Sequence, residues 1–223
     1  GGVYNAVYGV GDAVGNLIRI TNAKGFSTVQ GFDELNRLVL VEDPLHHLWR
    51  FSYDGVGNRI RTLDPNGQTI QFRYDELDRL TTKIYPDGEE VSFSYDKVGN
   101  RIQAKNKELT HTYRYDPLNR LIELTDSRFN KTLSLAYDAV GNRTSMTDLD
   151  GLATAYQYDF ANRLTRITDP FGGTTQYGYD KAGRRLSRQG ANRIQGLYAY
   201  DSADRLTELV IQHAETGNEI EHL

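Results

Sequence analysis

Carboxylates recur along this chain at a nearly fixed spacing. Asp12, Asp33, Asp54, Asp75, Asp96, Asp116, Asp138, Asp159, Asp180 and Asp201 stand 20, 21 or 22 residues apart. An Arg follows four or five positions later at Arg37, Arg59, Arg79, Arg101, Arg120, Arg143, Arg163, Arg185 and Arg205. Such a pair could act as a general acid with an electrostatic clamp, as a metal ligand with its orienter, or as an ion pair across a loop. The copy number decides among these. Catalysis needs one such pair, whereas an architecture needs one in every unit. The Asp residues are therefore expected to accept backbone N–H groups of their own loops, with the Arg pairing across the loop.

The remaining reactive residues assemble nothing stronger. Cysteine is absent, which removes disulfides, thiolate zinc sites and Cys nucleophiles. His46 and His47 are adjacent, and neighbours in a strand point to opposite faces, a poor arrangement for one metal. The stretch "DLDG" (148–151) has the start of a calcium loop without its later ligands. "GEE" (88–90) offers carboxylates next to a turn, with no partner identifiable from the sequence. No G-x-S-x-G, P-loop or H-E-x-x-H is present. No catalytic, cofactor-binding or metal residue is assigned, and no enzyme is expected.

The net charge is −4 and the isoelectric point about 5.8. This gives no electrostatic footprint for nucleic acid or an anionic membrane. No stretch is long and apolar enough to span a bilayer as a helix. The first residues, "GGVYNAVYGV", carry no leader pattern, so the chain is expected to be an internal piece of a longer protein.

What must position the carboxylates is a repeat. Tyr precedes the Asp at Tyr53, Tyr74, Tyr95, Tyr115, Tyr137, Tyr158, Tyr179 and Tyr200. Two residues earlier stand Phe51, Phe72, Phe93, Tyr113, Leu135, Tyr156, Tyr177 and Tyr198. This alternation puts bulky side chains on one face of a strand. Most of the 15 tyrosines lie in these two slots. The Asp-to-Arg offset alternates between five, in "DGVGNR", and four, in "DELDR". The unit is therefore a 42-residue pair, which is why "FSYDGVGNRI" (51–60) returns as "FSYDKVGNRI" (93–102) and again as "LAYDAVGNRT" (135–144). In these three copies Gly57-Asn58, Gly99-Asn100 and Gly141-Asn142 are expected to supply loop conformations. Eight residues before the Asp, Gly25, Gly67, Gly88, Gly151 and Gly172, with Asn130 in another repeat, mark a turn. Pro within "DPNG", "YPDG" and "DPFG" suits a type I turn ending in a left-handed residue.

Each repeat thus reads as a β-hairpin, and residues 1–223 as one array of ten repeats. The fold class is all-β: tandem antiparallel hairpins in a curved or spiralling sheet of about 20 strands, since open sheets rarely exceed about 10 strands without curling. A single closed ring of that size would be only ~30 Å across, so the segment is expected to be part of a longer spiral.

The Y-D-x-x-G-N-R-L/I phrase in phase with D-P-x-G turns resembles the RHS/YD-repeat family over about residues 5–206. That family includes bacterial RHS proteins, Tc toxin B and C components and the teneurin YD shell. The resemblance implies a strip of hairpins forming a hollow shell that, in the toxin members, encloses a C-terminal toxic polypeptide. It also implies a secreted or cell-surface location, with further repeats and a C-terminal effector of the parent chain as partners. Departures are Gly11 in the Tyr slot, Leu17 in the Arg slot, and irregular turns at His46, Glu108 and Arg193. Nothing matches the family's self-cleaving core, and "TDPFGG" (168–173) is a repeat turn by its spacing. The implied function is a non-catalytic wall segment. The alternative is a surface array binding glycans or cell wall. Glycan-binding repeats of this length carry paired Trp, and here Trp49 stands alone.

Overall fold

The computed structural model describes residues 8–222. None of them is helical, and twenty-one strands alternate with short loops. The chain divides into two units, Gly1–Thr110 and His111–Leu223. The first holds β1 (Tyr8–Gly11), β2 (Leu17–Thr21), β3 (Ser27–Phe32), β4 (Leu38–Glu42), β5 (Leu48–Tyr53), β6 (Arg59–Leu63), β7 (Thr69–Tyr74), β8 (Leu80–Ile84), β9 (Glu90–Tyr95) and β10 (Arg101–Lys105). Within this unit consecutive strands from β1 to β10 pair antiparallel. The second continues from β11 (Thr110–Tyr115) through β12 (Leu121–Asp126), β13 (Lys131–Tyr137), β14 (Arg143–Thr147), β15 (Ala153–Tyr158) and β16 (Leu164–Thr168). It ends with β17 (Thr174–Tyr179), β18 (Arg185–Gln189), β19 (Ile194–Tyr200), β20 (Leu206–His213) and β21 (Glu219–His222). Its strands pair in the same up-and-down order.

Register fixes two unlike faces. In β5, Trp49, Phe51 and Tyr53 alternate with the exposed Arg50 and Ser52. Across the ladder Phe51 meets Thr62 and Ser52 meets Arg61. In β7, Ile70, Phe72 and Tyr74 continue the ring face while Gln71 and Arg73 continue the polar one. Among the described residues no apolar side chain is buried; the one buried residue is Asp126. The sheet is therefore held by ladder hydrogen bonds, by contacts between neighbouring strands, and by what happens at its two edges.

Both edges use the same closure. At the Asp edge the Asp N–H donates to the carbonyl of the fourth residue on, and the third residue's N–H donates back to the Asp carbonyl, in all ten loops. This is a type I turn followed by a left-handed residue, the usual three-residue hairpin loop. The expected turn edge closes alike at Asp64–Gln68, Asp148–Leu152 and Asp169–Gly173, with Gly67, Gly151 and Gly172 at positive φ. At two of the irregular turns the left-handed place is taken by His46 and Arg193, at φ 63° and 62°. The third, around Glu108, is a residue shorter and closes from Asn106 to Leu109.

The Asp loops do not alternate in length: every following strand begins five residues after its Asp, at Leu38, Arg59, Leu80, Arg101, Leu121, Arg143, Leu164, Arg185 and Leu206. The sequence alternates because the first strand residue is Leu in one kind of repeat and Arg in the other. Just beyond it the ladder slips by one residue. Arg59 faces Tyr53 and Arg61 faces Ser52, leaving Ile60 as a bulge. Bulges of this kind bend the strand and increase its twist.

Candidate functional site

The repeated Tyr-Asp loops are the only place where titratable groups converge repeatedly among the described residues, so the candidate site is an edge and not a pocket. In each loop the Asp Oδ1 accepts the backbone N–H of the fourth residue on, as in Asn58 to Asp54 at 2.8 Å and Arg79 to Asp75 at 3.0 Å. The Asp Oδ2 then accepts the side chain of that same residue. Where it is Arg, the donor is Nε: Arg37 to Asp33, Arg79 to Asp75, Arg120 to Asp116, Arg163 to Asp159, Arg184 to Asp180 and Arg205 to Asp201, all at 2.6–2.8 Å. Where it is Asn, the donor is Nδ2: Asn16, Asn58, Asn100 and Asn142, at 2.9–3.1 Å.

The expected Asp–Arg pairing therefore holds at an offset of four and fails at five. At Asp54, Asp96 and Asp138 the Asn of "GNR" reaches the carboxylate. At Asp180 it is Arg184, and Arg185 belongs to the other class. The Arg at offset five begins a strand and lies over aromatic rings. Arg59 sits 5.6 Å from Phe51 and 5.3 Å from Phe72, Arg101 5.7 Å from Phe93, Arg143 4.6 Å from Tyr156, and Arg185 4.5 Å from Tyr198. These are cation–π distances.

Two further sets of bonds tie each hairpin to its neighbour. Tyr53, Tyr95, Tyr137 and Tyr179 donate their hydroxyls to the carbonyls of Leu38, Leu80, Leu121 and Leu164, at 2.7–3.0 Å. Tyr74, Tyr158 and Tyr200 donate to Arg59, Arg143 and Arg185, at 3.0–3.1 Å. The acceptor is always the residue that opens the preceding repeat's second strand. The sequence alternation places the Tyr column on one strand face and gives no sign of this latch. Tyr115 occupies the same slot, opposite Leu121.

The second set is a relay from loop to loop, and it explains the 42-residue unit. An Arg at the fourth position reaches past its own Asp to the next loop's Asp carbonyl. Arg37 bonds Asp54, Arg79 bonds Asp96, Arg120 bonds Asp138 and Arg163 bonds Asp180, at 2.8–3.0 Å. An Asn is too short for that. Its Nδ2 meets the left-handed residue of the next loop instead: Asn16 to Asn36, Asn58 to Asp78 and Asn142 to Asn162, at 2.7–2.9 Å. A loop that follows an Asn loop thus needs a side-chain acceptor at its left-handed position, and Asn36, Asp78 and Asn162 supply it at φ 59–60°. A loop that follows an Arg loop needs none, and Gly57 stands there at φ 103°, well beyond the left-handed minimum near +57°. Arg184 breaks the alternation, and it bonds both the Asp201 carbonyl and Asp204 Oδ1.

The electrostatics follow from these donors. All ten loop carboxyls titrate below the usual Asp range. In Asp75 and Asp180 the leading cause is the guanidinium hydrogen bond, and in Asp33, Asp159 and Asp201 it is the backbone N–H of the paired Arg. In Asp12 it is the Asn16 side chain. In Asp54, Asp96, Asp116 and Asp138 partial desolvation comes first and pushes the carboxyl up, but the combined hydrogen bonds outweigh it. A carboxylate with both oxygens engaged by its own loop is a poor proton shuttle. Among the described residues no three His, Cys, Asp or Glu side chains gather as a metal site. His46 Nδ1 lies 2.5 Å from Glu42 and His47 Nδ1 2.8 Å from Asp43, so the pair is split. Asp148 Oδ1 accepts from Asp150 and Leu152 of its own turn.

The sequence model of the RHS Repeat family matches residues 32–69, 53–90, 74–108, 137–172 and 161–195, more than half of the chain. The chain belongs to the RHS-repeat family. No curated protein matches it in sequence. Solved structures share its fold. The TcdB2-TccC3-Cdc42 complex superposes with a TM-score of 0.62 at 17% identity, over 96% of this chain and 14% of that one. The TcdB2-TccC3 complex gives 0.62 at 12% identity, over 94% and 16%. The Photorhabdus luminescens Tc holotoxin pore, with the TccC3 D651A mutation, gives 0.53 at 17% identity, over 92% and 15%. These RHS repeats therefore span about one-seventh of the chains they match. At such low identity the shared property is the fold.

Proposed function

We propose that this chain is a non-catalytic wall segment of a larger RHS-repeat shell that encloses or displays another polypeptide, such as a C-terminal toxin of its parent protein. The observation that carries the reading is the lack of a buried apolar core among the described residues, together with hairpins latched only to their neighbours. A structure held by nearest-neighbour contacts grows by repetition into a strip one sheet thick. The Asp, Asn, Arg and Tyr slots then have one role, which is to lock successive hairpins in register along the wall. The likeness to Tc toxin complexes supports a place in a secreted or surface-exposed assembly with other toxin components. The glycan-binding alternative is less well supported, because ring faces that would stack on sugars carry guanidinium groups, as Tyr95 does under Arg79 at 4.9 Å. Electron cryomicroscopy of the parent protein tests the proposal. The repeats should form the wall of a hollow particle with polypeptide density inside, and a solid particle, or repeats projecting as a free arm, would overturn it.

A further inference from the structure

The polar face of the first unit carries charge that the latches do not use. Arg50, Arg61 and Arg73 lie on that face in β5, β6 and β7, and all three are exposed. Arg61 stands opposite Ser52 and opposite Gln71, while Arg50 stands opposite Leu63. Each Arg is therefore one strand across and two residues along from the last. That makes a straight diagonal row with steps of about 7–8 Å. The fourth-position arginines of the Asp loops hold an Asp, and the arginines that open a strand cover a ring. These three do neither: Arg61 Nη2 donates to Thr69 Oγ1 at 3.1 Å, and no ion pair engages any of them.

The other charges on this face bound the row without neutralising it. Glu42, opposite Leu48, lies diagonal to Arg50 and is engaged by His46. Glu90, opposite Ile84, lies two strands from Gln71. Arg19 and Lys105 lie further out on β2 and β10. In a chain of net charge −4, three adjacent guanidinium groups without counter-ions form a local exception.

We propose that this row is a docking track for an extended acidic segment of another polypeptide, with carboxylates on alternate residues. An extended chain advances about 6.4–6.8 Å per two residues, nearly in step with the row. Such a segment offers each fork a carboxylate, its best planar complement. Single-stranded nucleic acid fits less well. Its bases need rings to stack on, and Phe51 and Phe72 lie on the opposite face. The inference goes beyond the wall reading and does not rest on it.

The test uses the 223-residue chain and a fluorescent heptapeptide alternating Glu and Thr, followed by anisotropy at low ionic strength. Binding should weaken with added salt. It should fall about tenfold in the triple variant Arg50→Ser, Arg61→Ser, Arg73→Ser, as expected for the loss of three exposed ion pairs. Arg188→Ser, on the ring face opposite Tyr177, should leave it unchanged. An unchanged far-ultraviolet spectrum of the triple variant would show that the sheet is intact. Absence of binding at low ionic strength, or binding unaffected by the triple change, would overturn the proposal. So would an oligothymidylate that binds more tightly than the peptide through the same three residues.

Discussion

The relay between loops makes a quantitative demand on Asp78. This residue sits in the left-handed region at φ 59° and accepts from Asn58 Nδ2 at 2.7 Å. Three substitutions separate its two roles. Asp78→Asn keeps the acceptor and the tolerance of left-handed geometry, so its cost should be near zero. Asp78→Gly keeps the geometry and loses the acceptor. The hydrogen bond is exposed, so the cost should lie at the low end of the usual range, about 0.5 kcal/mol. Asp78→Ala loses both, and left-handed backbone costs a β-carbon roughly 1–2 kcal/mol, for a total of about 2 kcal/mol. Urea unfolding followed by far-ultraviolet circular dichroism reads these differences. With a slope of about 2 kcal/mol/M, the Ala variant should unfold roughly 1 M earlier than the parent. A cycle with Asn58→Ala isolates the relay, because the Asn58–Asp54 bond is lost equally with and without the change at Asp78. The coupling should again be about 0.5 kcal/mol. Asp78→Gly and Asp78→Ala costing the same would remove the conformational half of the reasoning. A coupling of zero would remove the relay, leaving the 42-residue alternation without this cause.

Tyr95→Phe should cost about 1 kcal/mol, because the Leu80 carbonyl loses its donor while the ring stays under Arg79. Hydrogen exchange at β8 and β9 amides should quicken about fivefold, and a neutral result would reduce the latch to a packing contact. The loop carboxyls give the fold an acid limit. Their folded pKa values lie below the unfolded value of 3.8, so their contribution is present above about pH 4. It is lost as pH falls through the lowered folded values, and ten loops lose it in the same window. A circular dichroism titration from neutral pH should show unfolding, or a sharp drop in urea midpoint, on the acid side of pH 4. Stability unchanged down to pH 2 would refute the role assigned to the carboxylates.

Hairpins, turns and the ring face were legible because each leaves a periodic mark: alternation before Tyr-Asp, Gly at the left-handed turn position, a step near 21 residues. The division of the arginines was not. Counting from Asp to the nearest Arg merges a loop residue, Arg79, with a strand residue, Arg59, since each lies within five residues of its own loop's carboxylate in sequence. At Arg184-Arg185 the two classes stand side by side, and only the start of β18 at Arg185 tells them apart. A signal was nevertheless present, because Asn58 is followed one repeat later by Asp78 and Asn16 by Asn36, whereas Arg37 is followed by Gly57. Reading it requires knowing that these positions touch. The Tyr latch leaves less, since its acceptor is a backbone carbonyl that any residue supplies. The arginine row leaves none without the register of β5, β6 and β7.

The exceptions to the repeat length show which edge carries the order. The step from Asp96 to Asp116 is 20 residues and the next is 22. Neither irregularity touches an Asp loop, since both Asp96 and Asp116 close on the fourth residue like the rest. The missing residue is absorbed at Asn106–Leu109, on the opposite edge. The extra length falls within β12, β13 and the turn joining them, where β13 has seven residues. A turn that bonds mainly within itself can gain or lose a residue at local cost. An Asp loop cannot, because its fourth residue must reach the next loop while the following Tyr reaches back. With no buried apolar core among the described residues, this edge does what a core does elsewhere: it makes each repeat's geometry depend on its neighbours, and so keeps successive hairpins in register.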